Sequence, residues 1–422
     1  MKSIILSKEG CLKVKKKIYR LSEKDCQDLG KTYLPGEWVF FCDKKEKSNY
    51  LGFINIRAEK NCPIIHILKK INSEAVASAT DELESLQEQQ VACSYIEDAI
   101  TVAINKRKFY PHLGDNYRVI YGEADSLPGL IVDKYEKYIF LQINTAGIDR
   151  YRNNVIEFFK ANFSGSELIV YDDENERKLE GLPQYQERFD NKLENSKLKI
   201  EKIKLQENGI RIEVSADKIQ KIGYYYDHRL NRHRFEKLIN SINKDVKNFQ
   251  WGLDLFSYVG SWGLHMLRAN VKNVRFVDRG DFQKDIENNL EINNFSKRGE
   301  FVCLPCFDYL DKQLAEGIFY DVVVSDPPAF AKTMSNKDKA LSGYNKLHEK
   351  ILKILNKNSL MAICSCTSCV SFEDLDKTVI DSANKVDRKI NLIDMGFAGP
   401  DHPISSLKDK SHYLKYLAYY VE

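Results

Sequence analysis

From about residue 217 onward, short β-branched strands alternate with helical segments, and this alternation constrains the fold more than any other feature. Strand-like runs lie at 248–256, 273–277, 301–304, 320–324 and 360–364. Between them, 263–269, 282–293 and 342–355 carry apolar residues at helical spacing. Strands this short and apolar, each followed by a helix, predict an α/β domain with a mostly parallel sheet covered on both faces. Such sheets bind ligands beyond the carboxyl ends of their strands, so strand-end residues are where chemistry is to be sought.

The chain before this region has two other patterns. Residues 4–6, 38–42, 51–56 and 64–68 read as short strands between Lys-, Gly- and Asn-rich turns, which predicts a small β-barrel over 1–72. A helical period over 74–107 then gives way to strands at 118–121, 130–132, 138–143, 168–171, 198–205 and 210–214, with a helix at 151–162 and a polar loop at 184–196. This predicts a central α+β domain over 73–216, followed by the α/β domain over 217–422.

Apolar residues make up 43% of the 422, which excludes wholesale disorder. No apolar run approaches the roughly 18 residues that span a bilayer. The N-terminal Ile4-Ile5-Leu6 is too short for a secretory core, so a cytoplasmic location is expected. Ten cysteines in a chain this long suit free thiols in a reducing compartment rather than a disulfide framework. Net charge is only +3, so a nucleic-acid partner would be signalled by clustering; Lys13, Lys15, Lys16, Lys17 and Arg20 form such a cluster, which reads either as a solvated face or as a phosphate-contacting patch.

The first strand of the α/β domain runs into Asp254-Leu-Phe256-Ser257-Tyr-Val-Gly260-Ser-Trp-Gly263 and then a helix. Glycines at such a turn let the backbone approach a ligand closely. The spacing is not that of a dinucleotide fingerprint, and a P-loop lysine is missing. The next strand ends at Asp278, where a carboxylate can accept both ribose hydroxyls. A ribose and a base without phosphates suit S-adenosylmethionine. At the third strand end, Cys303-Leu-Pro-Cys306-Phe-Asp308, Asp308 is the candidate for holding the adenine.

The fourth strand ends Asp326-Pro327-Pro328-Ala-Phe330. Paired prolines fix an extended path and remove two N–H donors, so carbonyls and the Asp326 carboxylate form an acceptor array suited to a base bearing an amino group. The fifth ends Cys364-Ser-Cys366-Thr-Ser-Cys369. A thiolate beside the cofactor can add to C6 of a pyrimidine and make C5 a carbon nucleophile, with Asp326 hydrogen-bonding or protonating N3. The two Cys-x-x-Cys pairs also invite a shared zinc, but sheet topology should hold them strands apart, and no metal is expected.

Taken in order, these residues give the chain a family likeness over nearly its whole length. It resembles the bacterial large-subunit rRNA cytosine-5 methyltransferases, built from a PUA domain, a central β-rich domain and a Rossmann-like class I methyltransferase domain. The likeness is carried by Tyr121-Gly-Glu-Ala-Asp125-Ser-Leu-Pro128-Gly129-Leu-Ile-Val-Asp133, Arg177-Lys-Leu-Glu180-Gly181, Lys221-Ile-Gly223-Tyr-Tyr225-Tyr-Asp227-His-Arg229, Phe256-Ser-Tyr-Val-Gly260, Asp278, Asp326-Pro-Pro-Ala-Phe330, Ser365-Cys366-Thr367 and Asp401-His-Pro403. It implies that Cys366 is the nucleophile and Asp326 its partner on the base. It also implies that Tyr225, Asp227 and Arg229 border the cofactor site with Phe256, Ser257, Gly260, Asp278, Asp308 and Asp326, and that Pro327, Pro328 and Phe330 meet the substrate. RNA, in large-subunit rRNA, is the implied partner, bound in part by the first domain; no membrane partner is implied, and a homodimer is compatible. Three positions depart from the pattern: Lys17-Ile-Tyr-Arg20 replaces an aromatic segment, Ala329 follows the prolines, and Leu304-Pro305 stands where an acidic pair is usual.

Two other functions fit parts of the same residues. Methylation of a purine amino group needs only Asp-Pro-Pro and Phe330, with Cys366 incidental. An RNA-binding ribosome assembly factor with a lapsed active site would account for the altered third strand end.

Overall fold

The N-terminal strands pair into a five-stranded sheet of order β1-β3-β4-β5-β2, from β1 (Ser3–Ile5), β2 (Arg20–Leu21), β3 (Glu37–Asp43), β4 (Ser48–Ile54) and β5 (Ile65–Ile71). The computed structural model describes the chain except residues 28, 30–31, 46–47, 59–63, 72–80, 190–201, 216–223, 246–247, 332 and 405–411, and the side chains of 81–86, 188–189 and 244–245. The expected helix start at 74–80, the strand start at 198–201, most of the expected loop (190–196) and Lys221 to Gly223 lie outside the described residues.

Helix α1 (Lys8–Lys15), not expected from the sequence, separates β1 from β2; Ser7 caps it by accepting the Gly10 N–H at 3.1 Å. The basic cluster starts on this helix. Lys13 reaches the buried Asp25 at 2.7 Å and Arg20 pairs with Glu123, while Lys15, Lys16 and Lys17 are exposed.

Helix α2 (Asp81–Lys108) leads to a second five-stranded sheet, β10-β9-β8-β7-β6. Its strands are β6 (Asn116–Tyr121), β7 (Leu130–Tyr135), β8 (Tyr138–Ile143), β9 (Glu167–Tyr171) and β10 (Gln186–Phe189), with α3 (Ala146–Asp149), α4 (Arg152–Asn162) and α5 (Glu174–Leu179) between them. Within the stretch expected to be loop, β10 pairs antiparallel with β9. It is an edge strand, and edges tolerate the polar composition that hid it. Trp38 of β3 is fully buried, donates its ring N–H to the Gly147 carbonyl at 2.9 Å, and meets Tyr95 and Tyr151 edge-on. It belongs to one apolar core with Ile96, Val119, Leu130 and Leu141. Because the two sheets share that core, residues Met1–Lys199 form one compact unit, where the sequence pattern predicted two domains.

The second unit spans Ile200–Glu422. It opens with the hairpin β11 (Lys202–Glu207) and β12 (Ile210–Ser215), so the boundary expected at 216/217 falls earlier. Then come α6 (Arg229–Asp245), β13 (Trp251–Leu255), α7 (Ser261–Arg268), β14 (Asn273–Asp278), α8 (Gln283–Ile292), β15 (Gly299–Cys303), α9 (Cys306–Glu316), β16 (Tyr320–Ser325), α10 (Lys337–Lys353), β17 (Leu355–Ser365), α11 (Phe372–Lys385), β18 (Ile390–Gly396) and β19 (Lys415–Val421). The seven-stranded sheet has the order β15-β14-β13-β16-β17-β19-β18. Its first five strands are parallel, as expected, and β19 is antiparallel between β17 and β18. The order reverses between β13 and β16, which opens the binding crevice of a doubly wound sheet. Among the described residues no helix is long and apolar enough to cross a membrane.

Buried charges tie the hairpin to this unit. Glu207, fully enclosed at the turn, accepts Arg232 of α6 at 2.5 Å and faces His265 of α7 at 3.3 Å. His265 and Arg268 in turn meet Glu236 at 2.5 and 2.6 Å. Burial opposes ionisation of Glu236, but hydrogen bonds from His265 and Arg268 outweigh it and bring its pKa to about 2. A carboxyl with a depressed folded pKa contributes stability above its unfolded value, and that contribution is lost as pH falls through the folded value. Urea unfolding followed from about pH 5 to about pH 2 should therefore show a steep stability loss that Glu236→Gln flattens while lowering stability at neutral pH.

Candidate functional site

The strand-end residues singled out from the sequence converge because the parallel register aligns their strands. Leu255 pairs with Val277 on one side and with Ser325 on the other, and Ser325 pairs with Ile363. Asp278, which ends β14, and the residues that follow the other three strands, at 256, 326 and 366, therefore emerge along one edge.

The turn after β13 coils tightly: Phe256, Tyr258 and Gly260 all have positive φ, at 61°, 49° and 88°. Two non-glycine residues in this region within three positions is a sparsely populated arrangement of the kind found at functional sites. Glycine is required at 263, where a Cβ would sit 2.1 Å from the Phe276 ring, so α7 can pack directly on β14. Asp254, fully buried, accepts the Gly263 N–H at 2.8 Å. Its other oxygen and the Ser257 hydroxyl have no hydrogen-bond partner among the described residues.

Asp278 accepts one backbone N–H on each carboxylate oxygen, from Tyr258 at 3.1 Å and Gly280 at 2.9 Å. Each oxygen keeps a lone pair for a further donor, which is what a ribose diol requires. Tyr258 stands edge-on to both Tyr225 and Phe282, forming an aromatic wall beside the carboxylate. Asp308 is exposed in the first turn of α9. The donor and acceptor set around Asp278, Ser257 and Asp254 thus fits an uncharged nucleoside.

Two other residues expected at the cofactor have protein partners. Asp227 is buried and accepts the Tyr413 hydroxyl at 2.6 Å. Arg229 is only 2% exposed, lies over the Tyr226 ring and sits 3.9 Å from Glu207, so it braces the segment beneath the crevice.

At the fourth strand end, Asp326 is held from the protein side. Its Oδ2 accepts the Trp262 ring N–H at 3.0 Å, and its Oδ1 lies 3.4 Å from His228 Nε2. Asn231 Nδ2 donates to the Phe397 carbonyl at 3.3 Å and lies 3.1 Å from His228 Nδ1. With Asn231 donating, Nδ1 accepts, and a ring N–H lies on Nε2, facing Asp326. Burial works against ionisation of Asp326, but His228 and the Trp262 N–H outweigh it and hold the carboxyl below its ordinary value. The group is thus an ionised acceptor.

Cys366, part-buried, points its thiol at the Pro327 carbonyl, 3.7 Å away. The two strand ends are laced together around Tyr344. Its hydroxyl meets Ser365 Oγ and Thr367 Oγ1, both at 2.9 Å, and Thr367 Oγ1 accepts the Phe330 N–H. Phe330 stacks on the Tyr344 ring at 4.6 Å. Pro327 is buried and Pro328 exposed. Burial, then the charges of Asp326 and Asp227, push the Cys366 thiol up to about 12.

The other cysteines separate as the sheet order predicts. Cys303 is exposed at the end of β15, while Cys306 is buried on α9 with its thiol raised to about 12, chiefly by burial. Strands β14, β13 and β16 lie between this pair and the Cys366–Cys369 pair. The donor atoms of His228, Asp326 and Cys364 lie within 4.8 Å of one another, and burial raises the Cys364 thiol well above its ordinary value.

Sequence pattern alone missed Trp262, His228, Tyr344 and Lys415. Lys415 is 1% exposed on β19, opposite Ser365, and donates to the Thr367 carbonyl at 2.7 Å. Its one sequence signal was a lone charge within the apolar run 414–421.

No family model matches the chain. Among curated proteins, the ribosomal RNA large subunit methyltransferase I of Aliivibrio fischeri is 30% identical over 301 residues, covering 71% of this chain and 73% of the relative. That of Vibrio cholerae is 30% identical over 303 residues with the same coverage. Among solved structures, a Streptococcus mutans protein described as a SAM-dependent methyltransferase aligns over all of both chains at a TM-score of 0.74 and 17% identity. A methyltransferase complexed with SAH aligns equally fully at 0.76 and 18%. At that identity the structural likeness establishes the fold, an α/β class with a Rossmann-like methyltransferase sheet.

Replacing Trp262 by Phe removes one of the two N–H groups on Asp326, so the carboxyl should titrate at higher pH in Trp262→Phe. Carbon NMR of the side-chain carboxyl checks this; an unchanged titration would assign the depression to His228 and the charge of Arg232.

Proposed function

Given that this chain belongs to the ribosomal RNA large subunit methyltransferase I family, we propose that it transfers a methyl group from S-adenosylmethionine to C5 of a cytosine in large-subunit rRNA. The observation that carries the reaction class is the meeting of an ionised Asp326 and the Cys366 thiol at adjacent strand ends, across the Pro327 carbonyl. Asp278, Ser257 and the turn through Gly260 would hold the cofactor, which when bound supplies an electrophilic methyl group.

In this reading Cys366, as thiolate, adds to C6 of the base and raises electron density at C5. Asp326, as carboxylate, accepts from the cytosine amino group and from N3–H in the adduct, N3 taking its proton from solvent and returning it when the ring is restored. An acceptor there favours cytosine over uracil, which presents a carbonyl oxygen at C4. Loss of the C5 proton then expels the thiolate and restores the ring. Pro327 and Pro328 keep the strand end free of competing N–H donors, and Phe330, braced on Tyr344, offers a ring edge to the base. The base must stand outside a helix to reach this cleft, so the target is a looped or flipped nucleotide.

The first unit would supply RNA affinity in the manner of a PUA domain, with Lys15, Lys16 and Lys17 contacting phosphates. A ribosomal substrate is in keeping with a cytoplasmic location.

Incubation with unmodified large-subunit rRNA and methyl-deuterated S-adenosylmethionine, followed by nucleoside mass spectrometry, should yield labelled 5-methylcytidine. Cys366→Ser should reduce that product by about 10³-fold or more, in the range seen when a covalent nucleophile is removed, while leaving cofactor affinity intact. A labelled purine, or a Cys366→Ser variant with full activity, would overturn the thiol mechanism.

A further inference from the structure

A buried lysine without a carboxylate partner is an expensive feature, because desolvation of an ammonium group costs several kcal/mol unless a counter-charge or hydrogen bonds compensate. Lys415 is such a residue. It is buried on β19, and Asp374, the carboxylate whose charge acts on it, pairs instead with Lys337 at 2.6 Å. Its hydrogen bond goes to a neutral acceptor, the Thr367 carbonyl, one residue beyond Cys366. An ammonium group has three donors and this bond uses one. The register places Lys415 directly opposite Ser365, one residue before Cys366. The strand pairing thus delivers a positive charge to the peptide that carries the thiol.

We propose that Lys415 is the built-in counter-cation of the Cys366 thiolate: a positioning residue that clamps the strand end through the Thr367 carbonyl and stabilises the ionised sulfur. The proposal rests on the covalent reading of Cys366 given above.

The charges around the thiol show why such a cation is needed. Asp326 from the end of β16, Asp227 from the segment before α6 and burial all oppose ionisation of Cys366; the charge of Lys415 from β19 favours it. Tyr344 of α10 and Tyr225, also near the thiol, are neutral at physiological pH, their phenols raised first by burial. Cys364, on β17 two residues before Cys366, has its thiol raised well above its ordinary value, first by burial. Lys415 itself is lowered to about 8 by burial, against which the thiols of Cys366 and Cys369 and the carboxylate of Asp374 on α11 raise it.

The test uses the full-length protein and reads the thiol directly. Iodoacetamide labelling of Cys366 is followed by peptide mass spectrometry across pH in the wild type, Lys415→Met, Lys415→Gln and Lys415→Arg. Glutamine keeps a donor for the Thr367 carbonyl but no charge, and covers the case in which the methionine variant fails to fold. The midpoint of labelling should rise by about one pH unit or more in the Gln variant, as removal of an adjacent opposite charge predicts, and return toward the wild-type value in the Arg variant. A Gln midpoint equal to that of the wild type would reduce Lys415 to a hydrogen-bond donor and overturn the proposal. Because labelling needs no methyl transfer, the two readings fail separately. A shifted midpoint without 5-methylcytidine would sink the proposed reaction alone; 5-methylcytidine that requires Cys366, with unshifted labelling, would sink the role of Lys415 alone.

Discussion

Parallel pairing of β16 with β13 on one side and β17 on the other is the constraint on which the candidate site depends. Parallel strands point their carboxyl ends the same way, so residues far apart in the chain emerge along one edge without further instruction. The register lines up Leu255, Ser325 and Ile363, which brings the turn through Gly260, the Asp326 carboxylate and the Cys366 thiol to a common crevice. The reversal of strand order between β13 and β16 then leaves a gap there that no crossover helix fills.

Precision at that edge comes from polar side chains the sheet itself does not supply. Tyr344 of α10 ties Ser365 to Thr367, and Thr367 in turn accepts the Phe330 N–H, so the Cys366 strand end and the Asp-Pro-Pro strand end are held together. Trp262 and His228 do the same for Asp326 from α7 and the approach to α6. These groups are buried and hydrogen-bonded, the condition under which polar residues rigidify a site rather than weaken it.

The same economy governs the buried charges. Glu207, Arg232, His265, Glu236 and Arg268 are enclosed as a mutually satisfied network, and they fasten the hairpin β11–β12 to α6 and α7. Lys415 stands apart because its compensation is a carbonyl and a neighbouring thiol. In the first unit, Trp38 plays the apolar counterpart of this role: one ring and one N–H join two sheets into a single core.

The placement of the candidate site residues at strand ends was legible in the sequence because it is local. A strand, a glycine turn and a carboxylate follow one another within a dozen residues, and Asp-Pro-Pro or Ser-Cys-Thr each keep their meaning wherever the strand lies. The alternation of strands and helices, and the placement of the two Cys-x-x-Cys pairs on opposite sides of β13, followed from period and topology alone. What only the tertiary structure decided is what touches what across the chain. His228 reaches Asp326 over nearly a hundred residues, Lys415 reaches Thr367 from an antiparallel strand that no alternation announced, and Trp38 fuses two sheets that composition divides. Local patterns report backbone period and turn chemistry; the protonation state of a carboxylate or a thiol is set by burial and distant partners, and these exist only once the chain has folded.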